Sequence, residues 1–256
     1  MQNSGLLDPF PLWTLLPLTI TIAVVSIELG FRAALYRKQR NAEPEAPSAG
    51  MVGATLGLLA FMLAFTFGLA GTRFEARRQL VQTEANSIST TYLRADLLPE
   101  PMHTDTQALL KEYVDTRLAA TNPAKIAESI SKSEEIQRRL WAQAVLAIQK
   151  EKSVITSLFS QSVNQLIELH SQRITAGLRS RIPAAIWIVL YLVLILAMAA
   201  VGYQEGMASK RRSIAVITLV CGFSIVMFLI ADLDRPGQGY LQVNQEAMMD
   251  VKKVMR

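Results

Sequence analysis

The sequence predicts an all-α membrane protein: four transmembrane helices, an extramembrane helical bundle, and a second transmembrane helix that continues as a long extramembrane helix. Three observations carry this. Of the 256 residues, 51% are hydrophobic although 18% are charged, and the mean hydropathy is +0.26, so the apolar residues must be gathered in blocks. Four such blocks, residues 10–31, 52–70, 182–203 and 214–231, are long enough to cross a hydrocarbon core of ~30 Å. The stretch 52–98 has no proline before Pro99, and as one helix it would be roughly 70 Å long. It therefore spans the bilayer and runs on into water.

The first transmembrane helix is placed at 10–36. Asp8-Pro9 precedes it, and Asp caps and Pro tolerates a helix start. Pro17 is expected to bend it. The preceding MQNSGLLDPF has no Lys or Arg, so it lacks the positive region of a cleaved signal peptide and the span is expected to be retained. Glu28 and Arg32 lie four residues apart and share a helix face, which predicts an ion pair near the interface. Residues 37–51 form a basic then Pro/Ala/Gly-rich linker.

The second transmembrane helix and its extension occupy 52–98. Gly53, Gly57, Ala60, Ala64, Gly68 and Gly71 recur at three- and four-residue steps, the spacing that lets helix backbones approach in lipid. That predicts a helix packed among other helices. Residues 99–181 show apolar positions every three or four residues and little strict alternation, so they form an extramembrane helical domain. Trp141 reads as a packing residue. The third transmembrane helix is 182–203, a short basic loop is 204–213, the fourth helix is 214–231, and a C-terminal tail is 232–256. Val243, Met248, Val251 and Val254 give that tail a helical spacing.

Catalytic and metal-binding motifs are absent from the sequence. There is no HExxH, CxxC, P-loop or GxSxG, and His103 and His170 are isolated in sequence, short of a ligand cluster. Asp232 and Asp234 are one residue apart, too few oxygens for a divalent cation; they read as caps at the membrane boundary that pair with Arg235. No enzyme, cofactor or metal is predicted. The net charge of +5 suits a protein beside anionic lipid headgroups. Nothing interleaves aromatic and basic residues as single-strand nucleic-acid binders do, so no nucleic-acid partner is predicted. The loops with Arg37, Lys38, Arg40, Lys210, Arg211 and Arg212 favour, by charge, an extracytoplasmic helical domain.

One pattern resembles a known family. Leu63-Ala64-Phe65 followed by Ala70-Gly71-Thr72-Arg73-Phe74-Glu75-Ala76-Arg77-Arg78-Gln79-Leu80 resembles the second transmembrane helix of bestrophins. The bacterial bestrophin-like proteins are closer. To them the resemblance extends over Glu84-Ala85-Asn86, over Tyr92-Leu93-Arg94-Ala95-Asp96-Leu97-Leu98-Pro99 and over Asp232-Leu233-Asp234-Arg235-Pro236.

Bestrophins are pentameric anion channels, in which five copies of the second helix line an apolar neck. The resemblance thus implies a homo-oligomer in the bilayer, a pentamer if it holds throughout, conducting inorganic anions in a bacterial inner membrane. It puts the helical domain in the cytosol, against the loop charges. It also implies that Phe61 and Phe65 lie at the neck. Leu58 shares their face, and such an apolar ring can gate by dewetting; the same residues read equally as facing lipid or neighbouring helices. Arg73, Arg77 and Arg78 would form an anion-attracting mouth, and Glu75 or Glu84 would pair with some of them. This chain lacks the second aromatic of the bestrophin element and its acidic calcium clasp, so calcium gating is not carried over. The alternative is a non-conducting scaffold or sensor whose helical domain binds a partner protein.

Overall fold

The computed structural model describes residues 7, 9–40, 49–208, 214–237 and 239–255. Their regular structure is helical throughout: α1 (Leu12–Gln39), α2 (Ala49–Ala95), α3 (Met102–Ala119), α4 (Ile126–Lys150), α5 (Val154–Ile174), α6 (Ala184–Ala208), α7 (Ile214–Asp234) and α8 (Glu246–Val254). Among the described residues four helices are long and apolar enough to cross a membrane. The expected continuation of the second one is present: α2 is a single α-helix of 47 residues. Lys210, Arg211 and Arg212 lie outside the described residues. The chain forms two compact units, which divide α2 between Thr72 and Arg73.

The first unit contains α1, the apolar half of α2, α6 and α7. Helices α1 and α6 run parallel, because Thr19 Oγ1 lies 3.1 Å from the Tyr191 hydroxyl and contacts further along keep nearly the same offset. Gly30 abuts the Ala199 backbone, Gly202 the Ile27 backbone, and Gly206 Phe31 and Ala34. A Cβ at Gly30 or Gly202 would collide with a carbonyl oxygen. In lipid, where the hydrophobic effect does not drive helices together, such close approach lets dispersion act. The small residues of α2 behave otherwise. A Cβ added to Gly53, Gly57, Gly68 or Gly71 meets nothing within 4 Å, so the expected packing of this helix among others is absent along that face of the chain. Pro17 lies inside α1 without ending it.

Backbone groups at the end of α7 are held by side chains. Asp232 accepts hydrogen bonds from the Tyr240 and Leu241 N–H groups at 2.6 and 3.0 Å, and Gly239 approaches its carboxylate too closely for any Cβ. Asp234 Oδ1 accepts from the Ile182 N–H at 2.9 Å, and Arg181 donates to the Asp234 carbonyl. Arg235 donates to the carbonyls of Phe10, at 2.7 Å, and Leu7. These charged groups satisfy backbone donors and acceptors that helix ends and turns leave open.

The second unit packs the remainder of α2 with α3, α4, α5 and α8. Its core includes Ile88, Leu110, Tyr113, Ile136, Leu140, Phe159, Leu166 and Met248, all at most 1% exposed. Each such large apolar side chain contributes about 1.5–3 kcal/mol of burial free energy. Helix α5 starts with a reciprocal cap between Ser153 and Thr156, which satisfies two donors at once. The tail joins this core through Met248 and Met255, and Lys252 Nζ lies 2.7 Å from Asp115 Oδ1. Trp141, by contrast, is 43% exposed and is not part of it.

The α1–α6 seam yields a test. Gly202→Val should lower the thermal unfolding midpoint in detergent, at a cost of about 1–3 kcal/mol, whereas Gly57→Ala, with open space around its Cα, should leave it nearly unchanged. Equal effects from the two would show that the seam does not hold the unit together.

Candidate functional site

The long helix α2 presents two faces, each continuous over its whole length. Leu59, Leu63, Thr66, Ala70, Arg77, Val81, Glu84, Ile88, Thr91 and Ala95 are buried. At about 3.6 residues per turn these positions stay within one narrow stripe, because the chain keeps the α period without a slip. The opposite stripe passes through Gly57, Phe61, Ala64, Phe65, Gly68, Thr72, Glu75, Gln79, Gln82, Asn86, Thr90 and Leu93, and every one is exposed. Phe61 and Phe65 are each 69% exposed and Leu58 is 52% exposed. The exposed stripe is thus aromatic and small in the apolar half and dominated by neutral amides and hydroxyls beyond it. Its polar members bond to one another: Gln82 Nε2 donates to Asn86 Oδ1 at 3.3 Å and Gln79 Nε2 to Glu75 Oε1 at 3.3 Å.

The three arginines expected at one mouth do not share a face. Arg77 lies on the buried stripe and is 7% exposed. Arg73 lies roughly 120° around the helix from Phe61 and is half-buried. Arg78 is exposed on a flank, where its Nη1 lies 3.4 Å from Glu75 Oε2. Near the other end of the span-forming set, Arg32 Nε donates to Glu28 Oε1 at 2.7 Å.

Glu84 has partners that sequence spacing did not indicate. Fully buried, it pairs with Arg117 of α3, whose Nε is 3.2 Å from its Oε1, and with Arg173 of α5. The Tyr113 hydroxyl donates to Glu84 Oε1 at 2.7 Å. That hydroxyl oxygen in turn accepts from Gln137 Nε2 at 3.3 Å, and His170 Nδ1 lies 3.4 Å from it. With the tyrosine proton committed to Glu84, the Tyr113 oxygen can only accept from His170, which assigns the Nδ1–H tautomer. His170 Nε2 is then buried with no partner. One carboxylate so joins α2, α3 and α5. A signal was available, since Tyr113/Arg117 and His170/Arg173 are pairs at four- and three-residue spacing, each on one helix face.

Burial pushes the Glu84 carboxyl up, but Arg117, Arg173 and the Tyr113 hydroxyl outweigh it and hold the group below the usual carboxylate range. Burial, and then the charge of Glu84, raises the Tyr113 hydroxyl well above its ordinary value, so it stays a donor. Burial, reinforced by Arg117, lowers His170 to about 4. A third cation here would face two arginines with one carboxylate between them. The cluster performs no evident chemistry; it fixes the orientation of α2 against its neighbours. Among the described residues no group of His, Cys, Asp and Glu could hold a metal ion.

Four apolar helices among the described residues, one of them long and with an open face, define a multi-pass helical membrane protein. The chain belongs to the bestrophin-like family: the bestrophin-like domain matches residues 19–248. Its fold is similar to that of a bacterial bestrophin homologue from Klebsiella pneumoniae, solved as a point variant, with a TM-score of 0.69 and 13% identity over 94% of this chain and 96% of that one. It is similar too to the solved point variant of a membrane protein, with a TM-score of 0.66 and 15% identity over 95% and 97% of the two chains. No curated protein matches the sequence.

The buried cluster makes stability pH-dependent. His170 carries a proton more readily in the unfolded chain, near 6.5, than in the fold, near 4. Its contribution is therefore complete above 6.5 and is lost as pH falls from 6.5 to 4, by at most about 3 kcal/mol. Glu84, shifted down, loses its contribution at lower pH still, as its own carboxyl is protonated. Thermal unfolding between pH 7.5 and 4 should show a falling midpoint, and His170→Gln should flatten the part between 6.5 and 4. Superimposable curves for the two proteins would exclude His170 as the cause.

Proposed function

We propose that the protein is a homo-oligomeric ion channel of bestrophin type in the bacterial cell membrane, with the exposed stripe of α2 turned toward the pore axis. The observation that supports this reading most strongly is the stripe itself. A helix that faced lipid would be apolar in the span and would have no reason to keep the same face open beyond it. Here one face stays open throughout, and its chemistry changes from aromatic to neutral polar as the helix leaves its apolar half. Copies of α2 around an axis would convert that face into a narrow apolar neck and a wetted, hydrogen-bonding wall. Family membership and the fold of bacterial bestrophin homologues agree with it.

In this reading Phe61, Phe65 and Leu58 form the neck and hinder ion passage by dewetting. Gly57 and Gly68, on the same stripe, leave room on either side of the aromatic level. Arg77 and Glu84 belong to the opposite face and anchor it. Five copies are the number implied by the likeness to bestrophins. A scaffold or sensor would need no such matched change of chemistry along one face.

Purified protein in mild detergent should form closed rings by mass photometry, and proteoliposomes should show ion leak that rises on Phe61→Ala and Phe65→Ala, since a constricting apolar side chain is removed in every copy. Monomers or dimers, or rings with no flux in any variant, would remove the channel reading.

A further inference from the structure

The charge on the open face of α2 bears on which ions would pass. From Gly57 to Thr90 that face carries one ionisable residue, Glu75. It stands about four turns beyond Phe61 and within roughly 40° of it around the helix. Its side chain is 48% exposed. Its neighbours on the stripe, Thr72, Gln79 and Asn86, carry no charge. Basic residues nearby are turned aside. Arg77 faces the opposite way and is buried, Arg73 is half-buried well off the stripe, and Arg78 sits on the flank. Arg78 offsets Glu75 only through one long contact of 3.4 Å, with its own side chain 67% exposed to water, where such a pair is worth little.

We propose that Glu75 sets the ion preference of the pore and that it favours small inorganic cations over anions. The inference rests on the channel reading, with α2 lining the pore. Repeated by symmetry, Glu75 becomes a ring of carboxylates just beyond the apolar neck. A ring of like charge at a constriction raises the local concentration of counter-ions and lowers that of co-ions. The neutral amides and hydroxyls that follow can coordinate either sign and do not reverse the preference. Of the arginines read from sequence as an anion-attracting mouth, Arg77 lies on the buried face and Arg73 well off the stripe; Arg78, on the flank and 67% exposed, is turned further from the axis than Glu75.

The test is the reversal potential of the protein in planar bilayers under a KCl gradient, for the native chain, Glu75→Gln and Glu75→Lys. Each is also made with Phe61→Ala, so that a closed neck does not silence the measurement. The native protein should pass K+ in preference to Cl−. Glu75→Gln should lower the permeability ratio by about 10-fold, the lower end of electrostatic focusing, and Glu75→Lys should invert it. Chloride preference in the native protein, or a ratio indifferent to both substitutions, overturns the assignment of Glu75 while leaving the channel intact. Absence of current in all six proteins overturns the channel reading, and this inference with it.

Discussion

The rest of the structure depends on the rotational phase of one helix. Over the 47 residues of α2, buried positions recur at the α period without an insertion, a proline or a kink-forming pair. An α-helix is stiff because each turn is bonded to the next, so its two faces keep their identity from the lipid-compatible half into the water-compatible half. In each half the buried positions of α2 form one narrow stripe.

Each unit holds its part of that helix by different physics. In the apolar unit, close approach at Gly30, Gly202 and Gly206 joins α1 to α6 backbone to backbone. Around the end of α7, Asp232, Asp234, Arg181 and Arg235 complete main-chain hydrogen bonds, which at the edge of a low-dielectric slab are costly to leave open. In the water-exposed unit the fixing contact is ionic. Glu84 is buried with two arginines and a tyrosine, and a buried pair of this kind is weak evidence for net stability but strong evidence for register. Sliding α2 by one residue would take the carboxylate away from Arg117 and Arg173 and leave three buried charges without partners.

Much of the architecture was legible because its causes are local. Hydrocarbon accepts only runs of about twenty apolar residues, and four such runs are plain in the sequence. The absence of proline between Val52 and Leu98 foretold a continuous helix. That Phe61 and Arg77 lie on opposite faces of α2 was also legible. Sixteen residues at about 100° each put them on opposite sides of the helix, so Arg77 does not share the stripe of Phe61. The glycines misled for a different reason. Small residues at helical spacing mark possible close contacts, and both α2 and the α1–α6 pair have them; only three-dimensional packing selects the second.

The sequence by itself determined the number of spans, the helical character of the whole chain and the unbroken length of α2, because hydropathy and helix period act over neighbouring residues. Tertiary structure alone decided which face of α2 is left open, that Glu84 meets Arg117 and Arg173, and that His170 sits neutral beside them. Those outcomes depend on residues 29 to 89 positions apart, and contacts at that separation are set by how helices pack rather than by any local pattern.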